Sequence, residues 1–114
     1  MEVLKNIDPK KVLNLGDLIS YTDGQVVSRT LVQNSGIGLT LFAFAQGEGI
    51  STHKSEGDAI VIALDGAGEI TIDDEKFTIK SGESIVMPAT HPHAVYGIEN
   101  FKMLLVVAFP GGKK

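Results

Sequence analysis

The stretch Gly82-Glu-Ser-Ile-Val-Met-Pro-Ala-Thr-His-Pro-His-Ala-Val-Tyr-Gly97 decides how this chain is read. Pro88 fixes its own φ and holds Met87 extended, and Pro92 does the same to His91. The spacing predicts a strand, a stiff turn and a second strand that opens on His93. An imidazole at the start of a rigid strand loses little entropy on being positioned, which suits a metal ligand or a proton carrier.

Outward from this stretch the chain reads as short strands. Lys102–Phe109 is apolar on both faces, as is Ala59–Leu64, the pattern of strands covered on two sides. Glu69–Asp73 and Lys76–Lys80 alternate cleanly around the acidic turn Asp73-Asp-Glu75 and form a half-exposed hairpin. Further upstream, Val26–Val32 and Ile37–Ala45 flank Asn34-Ser-Gly36. In the second of these, Leu39, Leu41, Ala43 and Ala45 alternate with Gly38, Thr40, Phe42 and Phe44. Asp8 before Pro9 is a helix-start signal, and Val12, Leu13 and Leu18 continue it as a loose apolar stripe, so one short N-terminal helix or helical turn is expected. Eight or nine short strands and one short helix make an all-β double-sheet jelly roll, or double-stranded β-helix, the economical architecture.

A chain of 114 residues is one domain, 1–114. Thirteen glycines, no tryptophan and Val/Ile-rich runs agree with strands joined by tight turns. The absence of cysteine removes disulfides, thiolate metal sites and cysteine nucleophiles, and makes a reducing, cytoplasmic setting the expectation. No leader or membrane span is read from the start of the chain or from Met103–Phe109. Net charge −4, with adjacent basic residues only at Lys10-Lys11 and Lys113-Lys114, argues against a nucleic-acid partner. The doubly apolar strands leave more buried-type surface than so short a chain can cover, and a homodimer through one sheet face is expected.

The residues resemble the cupin family in two motifs. The first falls on Gly47, His53, Ser55, Ala59 and Gly66, within 47–66, and the second on Gly82, Pro88, Thr90, His93 and Gly97, within 82–97. The resemblance implies a cupin barrel. Cupins usually bind a divalent metal through two first-motif histidines, a glutamate and the second-motif histidine. Here Ser55 stands at the second histidine, Ala59 at the glutamate, and Thr90 and Gly97 at an inner glycine and an asparagine. The ligands that remain are His53 and His93, and His91 is a candidate third nitrogen. Such a set suits Zn, Ni or Cu, with Fe and Mn also within the family's range, or no metal at all.

Each candidate has a plainer alternative. His53 and His93 could be a hydrogen-bonded pair in a pocket without metal, and His91 a solvent-facing turn residue. Ser55 could contact a ligand or cap the turn at Glu56-Gly57, the latter being favoured. Asp58 is expected to face outward, one residue out of phase with Ala59. Asp73-Asp-Glu75 reads as a solvated turn, Gly66-Ala-Gly68 lacks the helix of a phosphate loop, and Tyr96 reads as packing on the face opposite His93. No Ser-His-Asp order or carboxylate pair suggests hydrolysis. Two functions follow. The first is binding of a compact polar or carboxylated small molecule by His53, Ser55 and His93, among apolar residues such as Phe42 or Phe44, Val61 and Met87, with metal optional. The second is a divalent-metal-dependent enzyme of dioxygenase, isomerase or decarboxylase type. A regulatory sensor would need a DNA-binding module, and none is read in this sequence.

Overall fold

A computed structural model describes residues 3–111. Nine strands follow in order: β1 (Val26–Gln33), β2 (Ile37–Phe44), β3 (Gly49–His53), β4 (Asp58–Asp65), β5 (Ala67–Ile72), β6 (Glu75–Lys80), β7 (Ser84–Met87), β8 (His93–Gly97) and β9 (Phe101–Ala108). They form two antiparallel sheets, ordered β1-β2-β9-β4-β7 and β3-β8-β5-β6, packed face to face as a jelly-roll barrel.

Alternation decides which side chains fill the barrel. Ala59, Val61 and Ala63 of β4 meet Ile70 and Ile72 of β5, Val95 of β8 and Phe101 and Met103 of β9 in one buried cluster. Phe42, Phe44 and Phe101 stack in sequence across it, with centroids 5.8 and 5.9 Å apart. The opposite parity of β2 and β9 faces outward, where Leu41 and Ala43 form a second cluster with Leu31 and Ile19, packed by Ile7, Leu15, Leu18 and Tyr21. The N-terminal segment thus covers part of the outer face of the large sheet.

The expected helical turn exists, as a 3-10 turn over Leu15–Leu18 with Asn14 before it, not as a helix starting at Asp8-Pro9. Asn6 and Lys10 both take positive φ, near 62° and 60°, which no helix can pass through. The segment is held instead by long-range bonds: the Lys5 amide donates to the Leu31 carbonyl at 2.8 Å, and the Arg29 guanidinium donates to the Asn6 and Leu18 carbonyls. Tertiary bonding overrides the local capping signal.

Two glycines are set by backbone geometry. Gly66, between β4 and β5, has φ near +71°, and a Cβ there would run into the Asn100 carbonyl oxygen. Gly82, between β6 and β7, has φ near +90° but open space around it.

Candidate functional site

The first half of the site is the end of β3. His53 is its last residue, pairs across the ladder with His93, and turns its Nδ1 to the Ser51 carbonyl at 3.0 Å. The second half is the start of β8, placed by the proline-bounded turn before it. That turn is pinned on both sides: the Asp58 carboxylate accepts from the Ala89 amide at 2.7 Å, and the Thr90 amide donates to the Ser55 carbonyl at 2.8 Å. Thr90 takes φ near +66°, so the left-handed conformation is kept at a threonine, at a strain cost of about 1–2 kcal/mol.

The two rings meet. His53 Nε2 lies 3.1 Å from His93 Nε2, with the ring planes at 76° and centroids 4.3 Å apart. His93 is 4% exposed, whereas His53 faces solvent. His93 Nδ1 lies 3.2 Å from the His91 carbonyl oxygen. A carbonyl only accepts, so each ring carries its hydrogen on Nδ1, and both Nε2 lone pairs are aimed at one point. Two bare lone pairs at this distance repel, and a positive species shared between them relieves the repulsion. One such species is a proton shared between the two Nε2 atoms. Burial is the largest cause lowering the His93 pKa, the charge on His53 is the second, and the His91 carbonyl opposes both.

A divalent metal ion is the other species. Zn–N bonds of about 2.0–2.1 Å at angles between square and tetrahedral put two ligand nitrogens roughly 2.9–3.4 Å apart, a range that contains the observed separation. The pair therefore fits two adjacent positions of a metal's coordination shell. Among the described residues no group of three His, Cys, Asp or Glu side chains converges, so water or a ligand would fill the other positions.

The remaining candidates lie around the pair. The His91 ring is exposed and turned to the Asp73 carboxylate, Nδ1 to Oδ2 2.9 Å, and its link to the pair runs through its carbonyl. Ser55 Oγ accepts from the Gly57 amide at 3.2 Å, so it caps its turn. β3 ends at His53, so Ser55 lies in the turn beyond the strand. Ala59, Val61 and Met87 are buried in the core. They belong to the packed interior, while Ile50, Leu105 and Val107 are only partly buried against it. Ala59 pairs with both Met87 and Val107, which puts Val107 at the barrel end where the turn into β8 is anchored. Tyr96 lies on the face opposite His93, as its spacing predicts, but is exposed and not packed.

Asp73 and Asp58 are positioning groups that sequence reasoning misses, because they act on partners 18 and 31 residues away, which no local pattern announces. Carbonyl contacts that set a tautomer leave no sequence signal at all.

Comparison with known proteins gives a consistent assignment. The family model described as "Cupin domain" matches residues 40–109. A conserved protein of unknown function from Streptococcus pyogenes is 46% identical, with 97% of each chain covered and a TM-score of 0.95. A cupin superfamily protein from Desulfitobacterium hafniense is 35% identical over 93% of this chain and 97% of its own, with a TM-score of 0.89. An uncharacterized protein from Methanocaldococcus jannaschii is 31% identical over 94 residues, 77% of this chain and 75% of its own.

Proposed function

The chain belongs to the cupin domain family, and we propose that it binds a compact polar or carboxylated small molecule at the mouth of its barrel, recognised by His53 and His93, with a divalent metal ion as an optional component. One observation carries this reading: the two Nε2 atoms converge at 3.1 Å while both Nδ1 atoms are committed to carbonyls. A pair so arranged concentrates one positive charge at a point that is open on the His53 side. A carboxylate oxygen at that point accepts the Nε2 hydrogen in place of the partner ring's lone pair, and the charge makes this one hydrogen bond stronger than one between neutral groups. Ile50, Leu105 and Val107, partly buried against the core, are the apolar side chains that this reading assigns to the rest of a small ligand.

His53 and His93 would hold the metal, which would supply a Lewis acid for an oxygen of the ligand or for water. The chain's own contribution is orientation: the carbonyls of Ser51 and His91 fix the rings, and burial of His93 keeps its Nε2 free of solvent. The second reading, a metal-dependent enzyme of dioxygenase, isomerase or decarboxylase type, is favoured by the positions that two protein nitrogens leave open. Apolar Ala59 in place of a glutamate weighs toward plain binding.

Calorimetry with acetate and benzoate on chelator-treated and zinc-loaded protein tests the proposal. The expected result is stoichiometric carboxylate binding that weakens about tenfold or more in His93→Gln, roughly the energy of one charged hydrogen bond. Carboxylate binding in neither form, or binding untouched by His93→Gln, overturns it.

A further inference from the structure

The two sheets of the barrel are not joined along one side. β6 is an edge strand of the small sheet and β7 an edge strand of the large one, and they follow each other in the chain without pairing. The turn between them is fastened to β4: the Gly82 amide donates to the Ala63 carbonyl at 2.9 Å, and the Ala63 amide donates to the Glu83 carbonyl at 2.9 Å. This turn carries the chain from one sheet to the other, so the two strands leave it apart. Alternation turns Phe77 and Ile79 of β6 toward the core, opposite Ile70 and Gly68 of β5. Ile85 and Met87 of β7 turn inward in the same way, opposite Val61 and Ala59 of β4. Ile79 and Met87 are closed off, 3% and 2% exposed, whereas Phe77 and Ile85 are only partly buried against the core. The exposed parts lie on the unpaired seam, where Phe77, Ile79 and Ile85 line a cavity of about 520 Å³ together with Thr78, Glu83 and Ser84.

We infer that this seam is a second binding site, separate from the histidine pair, for a slender uncharged amphiphile: a short linear alcohol with its tail between the sheets and its hydroxyl at the rim. Packed sheets lie about 10 Å apart, a gap filled by one layer of interdigitated side chains, so the seam admits a molecule about as thick as an aliphatic side chain. Its volume falls in the range of roughly 300–1,000 Å³ typical of small-molecule sites. Apolar and polar groups are segregated within it. Phe77, Ile79 and Ile85 point inward and offer the tail an apolar surface. Thr78 and Ser84 alternate outward, are exposed, and set hydroxyls at the mouth, each able to donate to or accept from a ligand hydroxyl. Glu83 stands at the same rim with Oε1 accepting from the Lys80 amide at 2.9 Å, and its negative charge disfavours a carboxylate head group. The turn leaves the entrance clear, since nothing lies within 4 Å of a Cβ built on Gly82. The occupant therefore differs in chemistry from the carboxylated ligand assigned to His53 and His93.

NMR titration of chelator-treated protein with n-butanol, n-pentanol and n-hexanol tests this. Saturable shifts are expected at the Ile79 and Ile85 methyls and the Phe77 ring, with Ile50 and the exposed Ile60 unmoved, and affinity is expected to rise about fourfold per added methylene. Zinc loading is expected to leave hexanol binding unchanged, which separates the seam from the histidine pair, and hexanoate is expected to bind more weakly than hexanol. Ile85→Trp fills the seam and is expected to abolish the shifts with an unchanged far-UV circular dichroism spectrum. If Ile85→Trp does not fold, Ser84→Ala decides: Ser84 is exposed on an edge strand, and its loss is expected to weaken hexanol binding about fivefold. The inference is overturned by the absence of a saturable shift, equal affinity along the series, binding that depends on zinc or moves Ile50, or hexanoate binding more tightly than hexanol. Hexanol binding retained by folded Ile85→Trp, or indifferent to Ser84→Ala, overturns it as well.

Discussion

His53 and His93 face each other through Nε2 at 3.1 Å, and each ring is held in that pose by a backbone carbonyl two residues earlier in its own strand or turn. The two histidines come from different halves of the chain, 40 residues apart, and from neighbouring strands of the smaller sheet. Their meeting is a product of the barrel topology. Everything chemical about the site follows from which nitrogen of each ring is left free.

Stability should fall in mild acid because of His93. Its folded-state pKa is lowered from the ordinary 6.5, by burial first and by His53 second. The unfolded chain therefore binds the proton more readily, and stability attached to neutral His93 is fully present above 6.5 and lost as pH falls from there to the folded pKa. The slope in that window is at most about 1.4 kcal/mol per pH unit for one group. Urea unfolding at a series of pH values should show this slope in the wild type and a flatter profile in His93→Gln. Equal slopes would remove His93 as its cause.

Thr90→Gly should stabilise the protein. Thr90 sits at φ near +66°, where a β-branched residue is strained by about 1–2 kcal/mol and glycine is not. Glycine costs roughly 0.5–1 kcal/mol of unfolded-state entropy, which leaves a net gain of at most about 1.5 kcal/mol. The amide bond to Ser55 is retained, so the turn should keep its shape. Thermal unfolding is the check, and a lower melting temperature in Thr90→Gly would mean that the Thr90 hydroxyl bond to Ala89 outweighs the strain.

Two of the positive-φ glycines, Gly66 and Gly82, should respond very differently to alanine. At Gly82 only the dihedral penalty applies, about 1–2 kcal/mol, because nothing lies within 4 Å of the added Cβ. At Gly66 the Cβ would overlap the Asn100 carbonyl oxygen, and backbone must move. Gly66→Ala should cost more than about 4 kcal/mol or prevent folding, a size reached only by steric or burial mechanisms. Similar melting temperatures for the two variants would contradict the close approach of the β4–β5 turn to Asn100.

Much of this fold is legible in the residues. Alternation in Glu69–Asp73 and Lys76–Lys80 gives the hairpin, doubly apolar Ala59–Leu64 and Lys102–Phe109 give the covered strands of the large sheet, and Pro88 and Pro92 delimit the turn before His93. The family resemblance places His53 and His93 as partners. What is not legible is set by distant contacts. The helical turn is displaced to Leu15–Leu18 because Arg29 and Leu31 bind the backbone of the segment before it. Ser55 as the cap of the Glu56-Gly57 turn is legible, and its hydroxyl accepts from the Gly57 amide, whereas Asp73 reads as a solvated turn until His91 is seen beside it. Val61 and Met87 read as pocket lining, because apolar alternation does not distinguish a wall that faces a cavity from one that faces other side chains.

The most direct measurement is a long-range proton–nitrogen NMR correlation of the imidazoles in chelator-treated protein, repeated after one equivalent of Zn²⁺. His53 and His93 should both appear as Nδ1-protonated rings, and both Nε2 resonances should move together on addition of the metal. A hydrogen on Nε2 with a bare Nδ1 in either ring, or a response from one ring alone, would contradict the convergence of the two lone pairs on a single point.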